Sequence, residues 1–170
     1  DNGGDVGVNG SDSIATRFVV DTYGKSYEVP QNVDSVAAVD SAALAVLMLG
    51  GVDRLAATDE DLTSDPLARD VFPGLSDVPA LWTGNGTGTS LSSSALQRLI
   101  ELHPDVCFET SGSATFSSAQ VAALRENGIY YVPLPAPSGV DDLKLITEII
   151  GKVLGDHTSE GGYDSVSRYR

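Results

Sequence analysis

The alternation of apolar and polar positions in the second half of the chain predicts a helix–strand–helix–strand unit. An amphipathic helix from Ser92 to Leu102 is followed by a short apolar strand, Val106 to Glu109. A second helix closes at Asn127-Gly128 and leads into a strand from Tyr130 to Leu134. Helices and strands that alternate at this spacing build a parallel sheet, whose ligands usually bind at loops beyond the carboxyl ends of the strands. The turn after Glu109 is such a loop, so a binding site is predicted there.

The first half of the chain extends the same alternation. Short apolar runs at Ser35–Val39, Leu55–Thr58 and Val78–Trp82 predict three further strands. A helix from about Ser41 to Leu49 follows the first of them, and Asp65-Pro66 opens a short helix after the second, because proline is tolerated in a first helical turn. The segment from residue 83 to residue 90 is too rich in glycine to predict regular structure.

A β-hairpin and a final helix complete the pattern. Phe18–Val20 and Tyr27–Val29 flank a turn that contains Gly24, which predicts two antiparallel strands. Apolar residues recur along one face from Val140 to Leu154, which predicts a helix. The fold class that follows is α/β: a three-layer α/β/α lobe with a mainly parallel sheet of four or five strands, preceded by the hairpin. Residues 1–16 contain few apolar groups and are predicted to be a flexible leader.

Charge and composition exclude several partners. The chain carries 24 acidic against 10 basic side chains, a formal net charge of −14, so it lacks the clustered cations that nucleic acid binding needs. The same charge disfavours an anionic membrane surface, and no apolar run is long enough for a membrane span. The single cysteine, Cys107, lies within an apolar run and is predicted to pack as a small hydrophobic residue.

The chain lacks the sequence patterns of common enzymes. There is no G-x-S-x-G motif, and the two histidines, His103 and His157, cannot be paired with a nucleophile by spacing. Histidines are also too few for a zinc or manganese site of the usual kind, and there is no dinucleotide-binding fingerprint before a helix. We therefore predict no catalytic residue, no metal site and no cofactor, and we do not expect an enzyme.

Five short motifs, taken in order, resemble the amino-terminal lobe of the class III substrate-binding proteins of ABC importers. They are a D-x-x-G-x-x-x-x-V-P hairpin, an L-G…D-R-L helix end, an S-L…P-D-V helix-to-strand run, an L-x-x-x-G-I-x-x-V run and a final I-x-G-x-x-L-G helix. Their residues are Asp21, Gly24, Val29 and Pro30; Leu49, Gly50, Asp53, Arg54 and Leu55; Ser90, Leu96, Leu99, Pro104, Asp105 and Val106; Leu124, Gly128, Ile129 and Val132; and Ile149, Gly151, Leu154 and Gly155.

The resemblance implies a receptor for an iron–siderophore complex, haem or a cobalamin-like ligand, working outside the cytoplasm as a periplasmic protein or a surface lipoprotein. Its expected partners are the chelate and the ABC permease in the membrane, with any lipid anchor outside this chain. Residues 17–139 then form the ligand-binding lobe, and residues 140–170 form the start of the inter-lobe helix and a tail. A second lobe follows that helix in the family, so this sequence is either one lobe or a naturally reduced form.

In the family the ligand lies between the lobes, against loops that follow the sheet strands. The resemblance therefore implies ligand contacts from those loops, with Trp82 stacking on a flat ligand and hydroxyl groups donating hydrogen bonds. The candidate ligand-binding residues are Ser41, Trp82, Thr83, Glu109, Thr110 and Ser111. Each has an ordinary structural alternative: a core position for Trp82, turn or helix-cap roles for the hydroxyl side chains, and a solvated strand end for Glu109.

Family receptors present a carboxylate from each lobe to the permease, in this lobe at the start of the helix after the fourth loop. This chain has Ser117 and Ser118 there. Its nearest acids on the same rim are Asp59, Glu60 and Asp61, which we expect to serve as the docking surface or to form a solvated turn. A different class of function remains open: a one-lobed α/β protein-interaction or scaffold domain that binds no small molecule.

Overall fold

The hairpin forms as its sequence predicts. The structure, a computed structural model, describes residues 15–84, 89–110 and 116–155. Strands β1 (Thr16–Val20) and β2 (Ser26–Pro30) pair antiparallel, with Val19 opposite Tyr27. Strand β1 therefore begins inside the predicted leader, whose residues 1–14 lie outside the described part of the chain.

A second sheet of six strands forms the middle layer. Five strands run parallel and the sixth, β6, pairs antiparallel at one edge, in the order β6-β5-β4-β3-β7-β8. This confirms the α/β fold class with a mainly parallel sheet and a preceding hairpin. The strands are β3 (Val36–Ala37), β4 (Leu55–Asp59), β5 (Ala80–Gly84), β6 (Thr89–Leu91), β7 (Val106–Thr110) and β8 (Tyr130–Leu134).

The glycine-rich segment departs from its prediction. Strand β5 continues to Gly84 and β6 begins at Thr89, so both flanks of the segment are strands; residues 85–88 lie outside the described residues. Trp82 pairs with Leu91 across the two strands, and both side chains are buried. Burial of this pair and the shared backbone hydrogen bonds outweigh the low β propensity of the surrounding glycines.

Six helices are described, and five of them were predicted. They are α1 (Asp40–Gly50), α2 (Glu60–Ser64), α3 (Pro66–Val71), α4 (Ser93–Leu102), α5 (Ser118–Glu126) and α6 (Val140–Gly155). Helix α2 was not predicted, because five residues are too few to show a helical period. No helix within the described ranges has both the length and the apolar character to cross a membrane.

Helices cover both faces of the sheet. Alternate residues of a strand point to opposite faces, and the buried side chains divide accordingly into two core clusters. Val36 and Phe108 join a cluster with α1 and α6, whereas Ala37 and Cys107 join a cluster with α4 and α5. Cys107 is thus a buried core residue, and burial raises the pKa of its thiol.

Helix α6 packs against the core of the lobe. Its Ile146, Ile149, Ile150 and Val153 are all within the first core cluster, where they pack with α1. The boundary at residue 139 stays a prediction, and across it α6 packs against the core of the lobe.

Candidate site at the carboxyl edge of the sheet

The order of the parallel strands contains a switch point. The chain runs outward from β3 through β4 to β5, then returns to lay down β7 on the other side of β3. In open α/β sheets a crevice forms beyond the carboxyl ends of the strands where the order reverses, here between β3 and β7. This places the candidate site near the loops that follow Ala37 and Thr110.

Most of the residues singled out from the sequence lie along this edge. Ser41 is in the first turn of α1, Asp59 ends β4, Trp82 and Thr83 are near the end of β5, and Glu109 and Thr110 end β7. Because these strands are neighbours in the sheet, their ends form one row of loops. Ser111 lies outside the described residues.

Asp59 is a structural residue rather than part of an exposed acidic surface. Its side chain is 1% exposed, and its two carboxylate oxygens accept hydrogen bonds from the backbone N–H of Leu62 at 2.7 Å and of Asp40 at 2.9 Å. The first of these caps the amino terminus of α2. Docking through Asp59 therefore stays a prediction that requires this residue to be uncovered, whereas Glu60 and Asp61 are exposed.

Asp40 lies at the switch point in an unusual backbone conformation. Its φ is 53°, in the left-handed region that costs most residues free energy and that Asp and Asn tolerate best. Burial raises the pKa of Asp40, and the nearby carboxylates of Asp59 and Asp61 raise it further. Backbone N–H donation to Asp59 holds this junction of β3 and α1 in place.

Glu109 is held by a tyrosine from the neighbouring strand. The Tyr131 hydroxyl donates a hydrogen bond to one carboxylate oxygen of Glu109, and the backbone N–H of Phe116 lies 3.4 Å from the other. Burial and this hydrogen bond raise the pKa of Tyr131, so the phenol is protonated at neutral pH. The Arg125 guanidinium lies 5.9 Å from the centre of the Tyr131 ring. Glu109 at the end of β7 is thus positioned by Tyr131, whereas Arg125, in the last turn of α5, lies toward the amino end of β8.

Three aromatic rings form a row beside Glu109. Trp82 meets Phe116 edge to face at 5.8 Å, and Phe116 meets Tyr131 edge to face at 6.0 Å. Trp82 is 1% exposed and lies in the core cluster with α4 and α5. The ring faces that the sequence analysis assigned to a ligand are therefore covered by protein here, and stacking on Trp82 stays a prediction that requires the ring to be uncovered.

The hydroxyl candidates differ in exposure. Thr83 is exposed, Ser41 is half-buried, and Thr110 is 3% exposed. Thr83 can therefore meet a ligand without rearrangement, whereas Thr110 cannot. Two further buried polar atoms, Thr58 Oγ1 and Trp82 Nε1, have no hydrogen-bond partner among the described residues.

The amino terminus of α5 carries no acidic side chain and is capped by residues at its own start. Ser117 caps it by accepting from the backbone N–H of Gln120, and the Gln120 side chain accepts from the backbone N–H of Ser117, which forms a capping box. No acid lies in the first turn of this helix. Exposed acids on the same edge include those of α2, Glu60 and Asp61.

Sequence reasoning missed Tyr131, Phe116 and Arg125. Glu109 and Tyr131 lie on neighbouring strands β7 and β8, and their contact depends on a register that the sequence does not reveal. The alternation in β8 did show that Tyr131 points away from Val132, the core residue on the other face, which was the available signal. Among the described residues, no three His, Cys, Asp or Glu side chains are grouped so as to hold a metal ion.

Comparison with known proteins identifies the fold. No protein-family model matches the chain, and no curated protein matches it by sequence. Solved structures do match. A periplasmic solute-binding protein from Veillonella parvula is 16% identical over 91% of this chain and 45% of its own, with a TM-score of 0.66. A periplasmic haem-binding protein from Pseudomonas aeruginosa is 18% identical over 81% of this chain and 43% of its own, with a TM-score of 0.55. A molybdate-binding periplasmic protein from Haemophilus influenzae is 16% identical over 81% of this chain and 47% of its own, with a TM-score of 0.56.

The chain thus spans less than half the length of the solved structures it matches. It has the fold of one lobe of these periplasmic binding proteins. Because one such lobe occurs in proteins for haem and for molybdate, the fold by itself does not specify the solute.

Proposed function

We propose that this chain is the ligand-binding lobe of the substrate-binding component of an ABC importer, and that it takes an iron chelate, haem or a cobalamin-like ligand. The observation that carries the proposal is the likeness of nearly the whole lobe to periplasmic binding proteins, one of them for haem. It acts by binding rather than by catalysis, and it works outside the cytoplasm. The ordered resemblance of the five sequence motifs supports the iron-chelate class.

The ligand lies at the switch point of the sheet. Thr83 donates from the β5 side and Ser41 from the β3 side, while Glu109, positioned by Tyr131, accepts from the β7 side. Hydroxyl donors beside a carboxylate acceptor suit a large chelate that carries several polar substituents.

Titration tests this ligand class. Haemin, a ferric trihydroxamate and cyanocobalamin are added separately to the 170-residue chain, and binding is followed by ligand absorbance and by emission of Trp82, the only tryptophan. We expect Glu109→Gln to weaken binding of the preferred chelate by about fivefold, since a charged hydrogen-bonding group is lost. Glu126→Gln, which neutralises an exposed acid of α5, is the matched control.

Failure of all three chelates to alter either signal would contradict the ligand class, and equal effects of the two variants would contradict the role of Glu109. Molybdate is included as a fourth probe, because a protein of the same fold binds it. If only molybdate binds, the chain would still be proposed as a receptor lobe, but its ligand would be molybdate rather than a chelate.

The permease contacts the exposed acids of α2. Glu60 and Asp61 are exposed on the same edge as the ligand site, and the start of α5 offers no carboxylate. Neutralising both should slow association with the permease and flatten its salt dependence, because exposed rim charges mainly affect association rates. Asp70→Asn with Asp77→Asn removes the same charge from exposed positions elsewhere and is the control. Uptake equal in both double variants would show that the acids of α2 form only a solvated turn.

A second candidate function is a one-lobed protein-interaction domain. Two pairs of apolar side chains one helical turn apart favour it, because they are exposed: Leu44 and Met48 on α1, at 41% and 72%, and Leu67 and Val71 on α3, at 71% and 59%. This candidate predicts that no chelate binds and that Met48→Lys abolishes capture of a partner protein. Chelate binding that is unaffected by Met48→Lys would exclude it.

A further inference from the structure

A small cavity lies between the hairpin and the sheet, at the carboxyl end of β8. It has a volume of about 250 Å³ and opens between the turn of β1–β2 and the end of β8. Leu134 and Leu145, which line it, belong to the core cluster with α1 and α6, whereas Tyr131 contacts the rings on the other face of the sheet. A molecule in this cavity therefore lies on the opposite face of the sheet from the Tyr131 ring.

The hairpin that forms one wall is held firmly against α6. Lys152 Nζ donates to the backbone oxygen of Val20 at 2.8 Å and forms an ion pair with Glu148 at 3.0 Å. Glu148 also accepts a hydrogen bond from the Thr22 hydroxyl in the turn. The wall is thus positioned before any ligand arrives, which reduces the ordering cost of binding.

Two of the polar groups at the cavity are already satisfied. One oxygen of Asp21 accepts from the backbone N–H of Tyr23 at 2.9 Å and of Lys25 at 3.0 Å, and the other accepts from the Tyr27 hydroxyl at 3.1 Å. Burial, together with Asp21, raises the pKa of Tyr27 to about 12, so its phenol remains a donor committed to that carboxylate. Neither side chain has a donor to spare for a ligand.

Lys25 is the available donor. Its Nζ lies 5.1 Å from the centre of the Tyr27 ring, and no carboxylate of the described residues forms an ion pair with it. The remaining walls are mostly apolar, with the ring of Tyr23, the pyrrolidine of Pro135 and the side chain of Leu145 among them. An apolar cavity with one unpaired ammonium group at its mouth suits a ring that carries an acid.

We propose that this cavity binds a small monocyclic carboxylate of the benzoate type, with its ring between the Tyr23, Tyr27 and Leu145 side chains and its carboxylate on the Lys25 ammonium. The volume accommodates one ring and not a macrocycle. The inference does not rest on the proposed receptor function, since the cavity and the switch point use different residues. The ligand is small and the chain is strongly acidic, so the dissociation constant is on the order of 1 mM.

Benzoate tests the proposal, with benzyl alcohol and acetate as probes that keep only the ring or only the charge. Amide and methyl chemical shifts of the full chain are followed by NMR during each titration. We expect benzoate to shift signals of Lys25, Tyr27, Leu134 and Leu145, and acetate to leave them in place. Lys25→Met should weaken the binding of benzoate about threefold without changing the binding of benzyl alcohol, because an exposed ion pair of this kind contributes modestly to affinity.

Lys144→Met is the matched control, since it removes the same charge from an exposed position of α6. Tyr23→Ala removes an exposed side chain from the wall of the cavity. It should weaken the binding of benzoate and of benzyl alcohol while leaving the fold intact. The proposal is overturned if benzoate shifts no signal at the cavity, if the shifts cluster elsewhere, or if Lys25→Met and Lys144→Met have the same effect.

Discussion

At the scale of single residues, burial separates acids that look alike in the sequence. Asp59 and Asp61 lie two positions apart, yet Asp59 is a buried cap and Asp61 is exposed. Asp59→Asn leaves one oxygen to accept from two backbone N–H groups, so we expect it to lower the free energy of unfolding by about 1–2 kcal/mol. Asp61→Asn changes the net charge equally and should cost less than about 0.5 kcal/mol. Urea unfolding measures both, and equal losses would contradict the capping role.

Asp40 gives a residue-scale prediction that depends on pH. Its pKa is raised in the folded protein, so its contribution to stability is present below its ordinary value of 3.8 and is lost as the pH rises through the folded-state pKa. Asp40→Asn stays neutral and tolerates the left-handed φ. After solvent screening we expect the variant to gain a few tenths of a kcal/mol at pH 7 and nothing near pH 3. The same gain at both pH values would point to backbone strain instead of charge.

Single residues also show where sequence reasoning stops. The placement of Cys107 in the core was predictable, because its neighbours in the strand are apolar on both sides. The burial of Trp82 was not, because it depends on Phe116, which approaches only after β7 and α5 have packed. The partner of Glu109 was hidden for the same reason: Tyr131 reaches it through a strand register that no local pattern records.

At the scale of elements, segments with a clear hydrophobic pattern or a start signal were predictable, and two short segments without either were not. Helices α4 and α6 begin and end within a residue or so of their predicted bounds, because amphipathic repeats over several turns leave little ambiguity. Helix α2 and strand β6 escaped prediction, since neither shows a hydrophobic pattern of its own and each depends on a partner for stability. The first is set by the Asp59 cap and the second by pairing with β5.

Two arginines fix the carboxyl end of α6, which gives an element-scale prediction. Arg17 donates to the carbonyl oxygens of Lys152 at 3.2 Å and Val153 at 2.6 Å, and Arg54 donates to that of Leu154 at 3.1 Å. Carbonyls in the last turn of a helix lack intrahelical partners, so these bonds satisfy them. We expect Arg17→Met and Arg54→Met each to lower the free energy of unfolding by about 1–2 kcal/mol.

Arg69→Met serves as the comparison for both variants, because Arg69 is exposed on α3 and should tolerate the change within about 0.5 kcal/mol. Thermal or urea unfolding provides the measurement. Hydrogen exchange of the last turn of α6 should also quicken in the first two variants alone. A loss in Arg69→Met as large as in the others would show that charge, rather than capping, sets the effect.

At the scale of the whole molecule, the strand order explains why the candidate site lies where it does. The alternation of helices and strands in the sequence predicts a parallel sheet, but the strand order that puts the switch between β3 and β7 is seen only in the structure. The identity of the solute does not follow, because it depends on a few side chains at loop ends. Periplasmic proteins for haem and for molybdate share this lobe while differing in solute.

The size of the chain relative to the structures it matches gives the last prediction. Those structures are about twice as long, and in the proposed function a ligand would be enclosed between two lobes. A single lobe makes only part of the contacts and leaves the other face of the ligand in water. We therefore expect the 170-residue chain to bind its preferred chelate more weakly than about 10 μM, which corresponds to about −7 kcal/mol. Isothermal titration calorimetry measures this, with a Thr83→Ala, Glu109→Gln double variant as the control for binding elsewhere. A dissociation constant below about 1 μM that the double variant abolishes would show that the site on this lobe is sufficient by itself.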